Sequence, residues 1–163
     1  MLITKASNRT QIKIIVSLAK TIWRDTYIPI IGEAQVEYML KTFQSEKSIT
    51  EQLKEGLEYY LVSKASKDIG YFAISIQDND LFLSKIYISA IEQGKGFGKN
   101  TLLFIEQIAH QHNAQTISLS VNKNNISAIK AYKKMGFINL GSIIQKIGNG
   151  FIMDDYKMIK KLY

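Results

Sequence analysis

Gln93-Gly94-Lys95-Gly96-Phe97-Gly98-Lys99 is the stretch on which the fold turns. An apolar run, Leu81–Ile88, precedes it, and a run of helical apolar spacing that ends near Asn113 follows it. That order reads as strand, glycine-rich turn, helix. Glycine lets a backbone pass close to a ligand and take dihedrals closed to other residues. The first N–H groups of a helix have no partner within it. Together with the helix dipole and two lysines, Lys95 and Lys99, they make a site for a phosphate or pyrophosphate. Two familiar motifs fail. A P-loop needs Gly-x-x-x-x-Gly-Lys-Ser/Thr, but counting back from Gly98-Lys99 finds Gln93, and position 100 is Asn. The dinucleotide fingerprint Gly-x-Gly-x-x-Gly needs a glycine where Lys99 stands.

The frame around this loop is that of one domain. The 163 residues are enough for a single core and too few for two comfortable ones. Hydrophobic residues make up 46% and charged residues 21%, as in a soluble globular protein. No apolar run approaches the roughly 18 residues of a membrane span. Lys13 interrupts the apolar segment near the N-terminus, so no signal peptide is read there and a cytoplasmic protein is expected. The absence of cysteine excludes disulfides and thiolate chemistry, and two histidines without cysteine argue against zinc. The net charge of +7 favours an anionic partner. The lysines are dispersed, and no Arg-rich helix or stacked aromatic motif marks a nucleic-acid binder.

Periodicity orders the rest. Leu2–Lys5 is a short strand. Ile12, Ile15, Val16, Ala19, Ile22 and Trp23 fall on one helical stripe, capped from Ser7, Asn8 or Thr10 and broken after Tyr27 by Pro29 and Gly32. Val36, Met39, Leu40 and Phe43 define a second helix. Ser48-Ile49-Thr50-Glu51 fits a capping box for a third, running to about Gly56. Tyr59–Ala65 and Ile69–Ile76 form a hairpin across Ser66-Lys67-Asp68, and Asp78-Asn79-Asp80 turns into Leu81–Ile88. After the loop, Leu102, Leu103, Ile105, Ile108 and Ala109 line the next helix. Thr116–Val121 is a strand, Asn125–Met135 a helix ended by Gly136, and Phe137–Ile147 and Phe151–Lys160 are a hairpin closed at Gly148-Asn149-Gly150. A helix joins Leu81–Ile88 to Thr116–Val121, so those two strands are expected to run parallel.

A second stretch lies one helix and one strand downstream. Asn125-x-x-Ala128-x-x-x-Tyr132-x-x-x-Gly136-Phe137 taken alone is an amphipathic helix stopped by glycine. Paired with Gln93-x-x-Gly96-x-Gly98, in that order, it resembles the GNAT superfamily of N-acetyltransferases; Met153–Met158 also looks like the last strand of many such enzymes. The resemblance covers most of the chain from about Ile69 onward. It implies an α+β layered fold: a mixed, mostly antiparallel sheet of about seven strands with one central parallel pair, helices on both faces, and residues 1–163 as a single domain. It also implies acetyl-coenzyme A as co-substrate, with no metal.

By the same resemblance, the pantetheine arm lies along Ile86, Tyr87 and Ile88. The N–H groups of the loop, Gln93, Gly94, Lys95, Gly96, Phe97, Gly98 and Lys99, hold the pyrophosphate. Asn125 bonds the pantetheine. Tyr132 is the general acid that protonates the departing thiolate; its reference pKa of about 10 against about 8.5 for a thiol leaves it protonated at neutral pH. Lys134 is either a coenzyme-phosphate contact or a solvated lysine. Many relatives carry a glutamate base on the strand before the loop, whereas Phe82 and Ser84 stand there in this chain. Asp78, Asp80, Asp154, Asp155 and a water chain are the candidates left. His110 and His112 read as surface residues at a helix end.

The acceptor is less legible. The region Thr21–Tyr27 resembles that of polyamine acetyltransferases. Trp23 and Tyr27, four apart on one helix face, are either an aromatic wall for a cation or plain core, with Asp25, Glu33 and Glu37 near in sequence. Against a polycation stands the positive net charge. Small-molecule and peptide amines are both open as acceptors, a coenzyme-binding sensor is the non-catalytic alternative, and the chain is expected to be a monomer or homodimer without nucleic-acid or membrane partners.

Overall fold

The computed structural model describes residues 1–163. In chain order the elements are β1 (Leu2–Lys5), α1 (Arg9–Ile31), α2 (Glu33–Phe43), α3 (Glu46–Lys54), β2 (Glu58–Lys64), β3 (Lys67–Gln77), β4 (Asp80–Ile88), α4 (Phe97–Gln111), β5 (Thr116–Asn122), α5 (Ile126–Lys134), β6 (Ile138–Gly148) and β7 (Phe151–Lys161). The seven strands form one sheet in the order β1-β2-β3-β4-β5-β7-β6. β4 and β5 are its parallel pair, in register from Asp80↔Thr116 to Leu83↔Leu119. The sheet is otherwise mostly antiparallel, as the resemblance implied. Two compact units make up the chain: Met1–Ser75 with Lys85–Leu102, and Ile76–Ser84 with Leu103–Tyr163.

In the first unit, Asn8 caps α1 through a reciprocal box. Its Oδ1 accepts from the Gln11 N–H at 2.9 Å, and Gln11 Oε1 accepts from the Asn8 N–H at 3.3 Å. Ile12, Ile15, Ala19, Ile22 and Trp23 are its buried face. The break expected at Pro29 is not there: the helix continues to Ile31 with the proline inside its last turn. A proline removes one bond to the turn behind it, but the chain reverses only at Gly32, whose φ of +83° needs glycine. The third helix also starts earlier than its capping box suggested. Ser45, not Ser48, is the cap, and its Oγ accepts from the Ser48 N–H at 3.1 Å. Ser48 instead donates to the Thr42 carbonyl at 2.7 Å. The hairpin between β2 and β3 is tighter than expected. Lys64 pairs with Lys67, leaving only Ala65-Ser66 in the turn, both at positive φ. Such a turn matches the strand twist, and that gain outweighs the strain on two non-glycine residues.

A chain of buried hydrogen bonds runs through this unit's core. Trp23 Nε1 donates to Tyr71 Oη (3.0 Å), and Tyr71 Oη donates to Gln44 Oε1 (2.7 Å). Gln44 Nε2 donates to Tyr59 Oη (3.2 Å) and to the Phe43 carbonyl (2.7 Å), while Tyr59 Oη donates to Gln52 Oε1 (2.6 Å). Every polar atom that the aromatic core buries here is thus partnered, the condition for burying it without a large penalty.

In the second unit the start of the parallel pair is tied by Asp80. Its carboxylate accepts from Thr116 Oγ1 at 2.6 Å and from Ser118 Oγ. Ile117, Leu119 and Val121 are buried along β5, and Met158 along β7. Lys160 bonds Glu106 across from α4. Of the apolar residues that line α4, Leu103 is 42% exposed, whereas Ile105, Ile108 and Ala109 are buried. The last hairpin closes on Asn149-Gly150, with φ of +52° and +77°. β6 is one of the two edge strands and is exposed along most of its length; Leu140 bulges out between Asn139↔Met158 and Gly141↔Lys157. A bulge blunts an edge against unwanted pairing.

Candidate functional site

The glycine stretch takes the shape its residues allow. A single 3₁₀ turn, Ala90–Glu92, follows β4, and the loop then runs into α4 at Phe97. Gly94 and Gly96 have φ of +75° and +87°, and no atom lies within 4 Å of a Cβ built on either, so backbone conformation and not crowding selects glycine. Gly98 lies inside the first turn. The first i→i−4 bond of α4 runs from the Asn100 N–H to the Gly96 carbonyl at 3.0 Å. The N–H groups of Phe97, Gly98 and Lys99 precede it and face the helix N-terminus. Gln93, first residue of the motif, holds the loop to the strand: its Nε2 donates to the Ile88 carbonyl at 2.9 Å.

Two residues at this loop escaped the sequence reading. Glu92 accepts from Lys95 Nζ at 3.1 Å and from Lys64 Nζ at 3.3 Å, and these bonds, Lys95 first, hold its carboxyl below the usual range. Lys64, at the end of β2, also lies 5.3 Å from the Phe97 ring centre. Lys95 from the loop and Lys64 from the end of β2 thus meet on one carboxylate, and Lys99 follows in the first turn of α4. Nothing in sequence could join position 64 to position 92; the sheet does.

On β4, Ile86, Tyr87 and Ile88 occupy the last three positions before the turn. A side chain at Gly70 would meet this segment at once. A Cβ there would stand 2.3 Å from the Tyr87 carbonyl oxygen and 2.8 Å from Ile88 Cδ1. Trp23 and Tyr27, expected to share a helix face, do so with ring centres 5.7 Å apart. They join Tyr87, at 5.5 Å and 6.1 Å, and Tyr71, 5.5 Å from Tyr87, in one aromatic cluster. Within it Trp23 is core, 3% exposed and bonded to Tyr71, while Tyr27 is half-buried with its hydroxyl 3.1 Å from that of Tyr87. Glu37 faces Arg24: two bonds, at 2.7 Å and 3.1 Å, join guanidinium and carboxylate.

The second motif builds its own local device. Asn125 is the N-cap residue of α5, without a side-chain cap bond, and Lys134 is its exposed last residue. The helix closes in a Schellman turn. The Gly136 N–H bonds the Lys133 carbonyl at 3.1 Å, and the Phe137 N–H bonds the Tyr132 carbonyl at 3.0 Å, with Gly136 at φ +92°. The apolar contact that accompanies such a turn is Phe137 against Tyr132, ring centres 5.6 Å apart. Phe137 is 3% exposed, so the spacing Tyr-x-x-x-Gly-Phe anchors the Tyr132 ring to a buried one.

Of the carboxylates left as bases, Asp80 is committed to Thr116 and Ser118. Asp154 Oδ1 lies 2.6 Å from Lys123 Nζ, close enough for an ion pair but off the angle of a hydrogen bond. Asp155 is 2% exposed; burial, then the charge of Asp154, push its carboxyl up to about 6 against the opposite pull of Lys123. His110 and His112 are exposed at the end of α4. No group of three His, Asp or Glu side chains is arranged to hold a metal ion, and no helix is long and apolar enough to cross a membrane.

Comparison with known proteins meets this geometry. The family model described as an acetyltransferase (GNAT) domain matches residues 27–160. The chain belongs to the GNAT acetyltransferase family. A spermine/spermidine N(1)-acetyltransferase of Bacillus subtilis is 30% identical over 129 residues, covering 72% of this chain and 85% of that protein. A PaiA N-acetyltransferase from Thermoplasma acidophilum, solved in complex with coenzyme A, superposes with a TM-score of 0.78 at 21% identity, over 99% of this chain and 100% of the other. A spermidine N-acetyltransferase chimera of Vibrio cholerae SpeG and hSSAT gives 0.72 at 20% identity, over 99% and 96%. The GNAT fold read from two motifs is the fold found.

Proposed function

We propose that this GNAT acetyltransferase moves the acetyl group of acetyl-coenzyme A to a small primary amine by direct attack, with polyamines the first acceptor class to test. The observation that carries the reading is the N-terminus of α4: N–H groups ahead of the first helical bond, behind two left-handed glycines, with Lys95 in the loop, Lys99 in the first turn and Lys64 beside the Phe97 ring. That is what a pyrophosphate requires. The PaiA neighbour was crystallised with coenzyme A, which agrees.

The residues then divide the work. The loop from Gln93 to Lys99 binds the pyrophosphate, the backbone of Ile86, Tyr87 and Ile88 carries the pantetheine arm, and an N–H near Ile88 polarises the thioester carbonyl. Asn125 bonds the pantetheine and Lys134 a phosphate. Tyr132 protonates the thiolate as it leaves; its ring is held for that by Phe137. Tyr27 and Tyr87 offer two hydroxyls and two ring faces to the acceptor, with Trp23 packed behind them. Polyamines are suggested by the Bacillus subtilis relatives. Glu37, which sequence proximity offered as a polyamine contact, is already neutralised by Arg24, so a polyamine would rely on rings more than on carboxylates.

Thiol release from acetyl-coenzyme A against spermidine, spermine, putrescine, lysine peptides and N-terminal peptides tests the reading. Turnover with a polyamine is expected. Turnover confined to peptides would replace the acceptor and keep the enzyme. Coenzyme binding without turnover by any amine would make the chain a sensor.

A further inference from the structure

Amine acetylation must dispose of a proton, and beyond Asp80, which is bonded to Thr116 and Ser118, β4 brings no carboxylate to take it. It brings Lys85. This residue sits two positions before Tyr87, on the same side of the strand by the two-residue period. Its Nζ lies 5.6 Å from the centre of the Tyr59 ring. Tyr59 stacks on Tyr71 with centres 6.3 Å apart, and Tyr71 meets Tyr87, so Lys85 belongs to the face that carries the aromatic cluster. Resting on the acetyl-transfer reading above, we propose that Lys85 is the general base: its neutral ε-amine accepts the proton of the acceptor ammonium before attack.

The aromatic cluster and the Arg24–Glu37 pair offer weaker bases. Burial pushes the Tyr59 phenol up to about 12, and Tyr71 well above its ordinary value, so neither is ionised near neutrality. The bond from Arg24 holds Glu37 below the usual carboxylate range, which weakens it as a base. Trp23 has no basic atom, and the hydroxyls of Tyr27 and Tyr87 point at each other. For Lys85 burial works the other way and brings the ammonium down to about 8. A base is most effective when its pKa lies near the working pH, and a desolvated lysine is a known means of reaching that range.

The protons balance. The acceptor ammonium gives its first proton to Lys85, which passes it to solvent. The amine lone pair forms the new C–N bond, and the C–S bond breaks as the tetrahedral oxyanion collapses. The thiolate takes a proton from Tyr132, which the second proton leaving the nitrogen replaces. The products are the amide, free coenzyme thiol and one proton.

The test is kcat/KM against pH, from 6 to 10, with spermidine or the best acceptor of the amine panel, for wild type, Lys85→Ala and Lys85→Arg. Wild type is expected to show a break near 8 in addition to the ionisation of the acceptor itself. Lys85→Ala should lose that break and fall about 100-fold or more, while acetyl-coenzyme A still raises its Tm. Trimethylamine, a base that forms no stable amide, should restore part of the Lys85→Ala rate. Lys85→Arg keeps stem and charge, so it answers even if the smaller side chain misfolds; it should be as slow and lack the break. A break near 8 that survives in either variant, or a fall of less than fivefold, overturns the assignment. Wild type inactive with every amine overturns the acetyl-transfer reading instead, and the base with it.

Discussion

Tyr132 and Asp155 show how one side chain is set by its immediate contacts. Tyr132 is anchored to Phe137 by the turn that ends α5. Tyr132→Phe keeps that packing and removes the proton. It should lower kcat about 100-fold, with the Kd for acetyl-coenzyme A unchanged in a binding titration. Asp155 is a cost at neutral pH. Its carboxyl titrates at about 6 in the folded chain, against about 4 unfolded. Stability from this group is full below pH 4, declines as pH rises from 4 to 6, and is absent above. Asp155→Asn should therefore raise Tm at pH 7 by an amount corresponding to about 2 kcal/mol. The gain should vanish by pH 4 in thermal melts, and a variant no more stable at pH 7 would contradict the burial argument.

Elements are ended and spaced by glycines that sequence cannot rank. Gly136 makes the Schellman turn at φ +92° with nothing closer than Lys160 Cε at 3.5 Å from a built Cβ. Gly136→Ala is therefore strained by backbone alone, and about 1 kcal/mol of lost stability is expected from chemical denaturation. Gly70 is the opposite case. Its obstacle is the backbone of Tyr87 and Ile88, only 2.3 Å away at the closest. Gly70→Ala has to displace β4, and should cost about 1–3 kcal/mol and raise KM for acetyl-coenzyme A, because the segment displaced is the one assigned to the pantetheine arm. Equal losses for both glycines, with KM unmoved, would count against that assignment.

Across the whole molecule the charge of +7 attracts an anionic coenzyme and repels a polycationic acceptor. Raising ionic strength from 0.05 to 0.5 M, as an order-of-magnitude range over which the Debye length shrinks to a few Å, should raise KM for acetyl-coenzyme A. For a polyamine, KM should fall or stay level over the same range. Steady-state kinetics with both substrates varied will separate the two, and a salt response of the same sign for both would remove net charge from the account.

The order of elements was written in local patterns: the two-residue period of the strands, the stripe of α1, and two motifs whose chemistry lies within a dozen residues each. These are short-range properties, so Gln93–Lys99 and Asn125–Phe137 could be recognised from residue types alone. Helix ends were less legible. Ser45 and Ser48 offer the same capping oxygen, and Pro29 can sit inside a last turn as well as beyond it; neighbouring residues in space decide between them. The long-range partners were not legible at all. That Gln44 satisfies Tyr71 and Tyr59, that Glu92 holds Lys64 as well as Lys95, and that Lys85 lies against Tyr59 follow from sheet pairing and from how helix ends and turns pack on the sheet, which joins residues tens of positions apart. Sequence by itself determined the fold and the two motifs that carry the family resemblance, because both are written in contiguous backbone. Only tertiary structure decided which charges meet and which are buried, because desolvation and pairing depend on what surrounds a group in space.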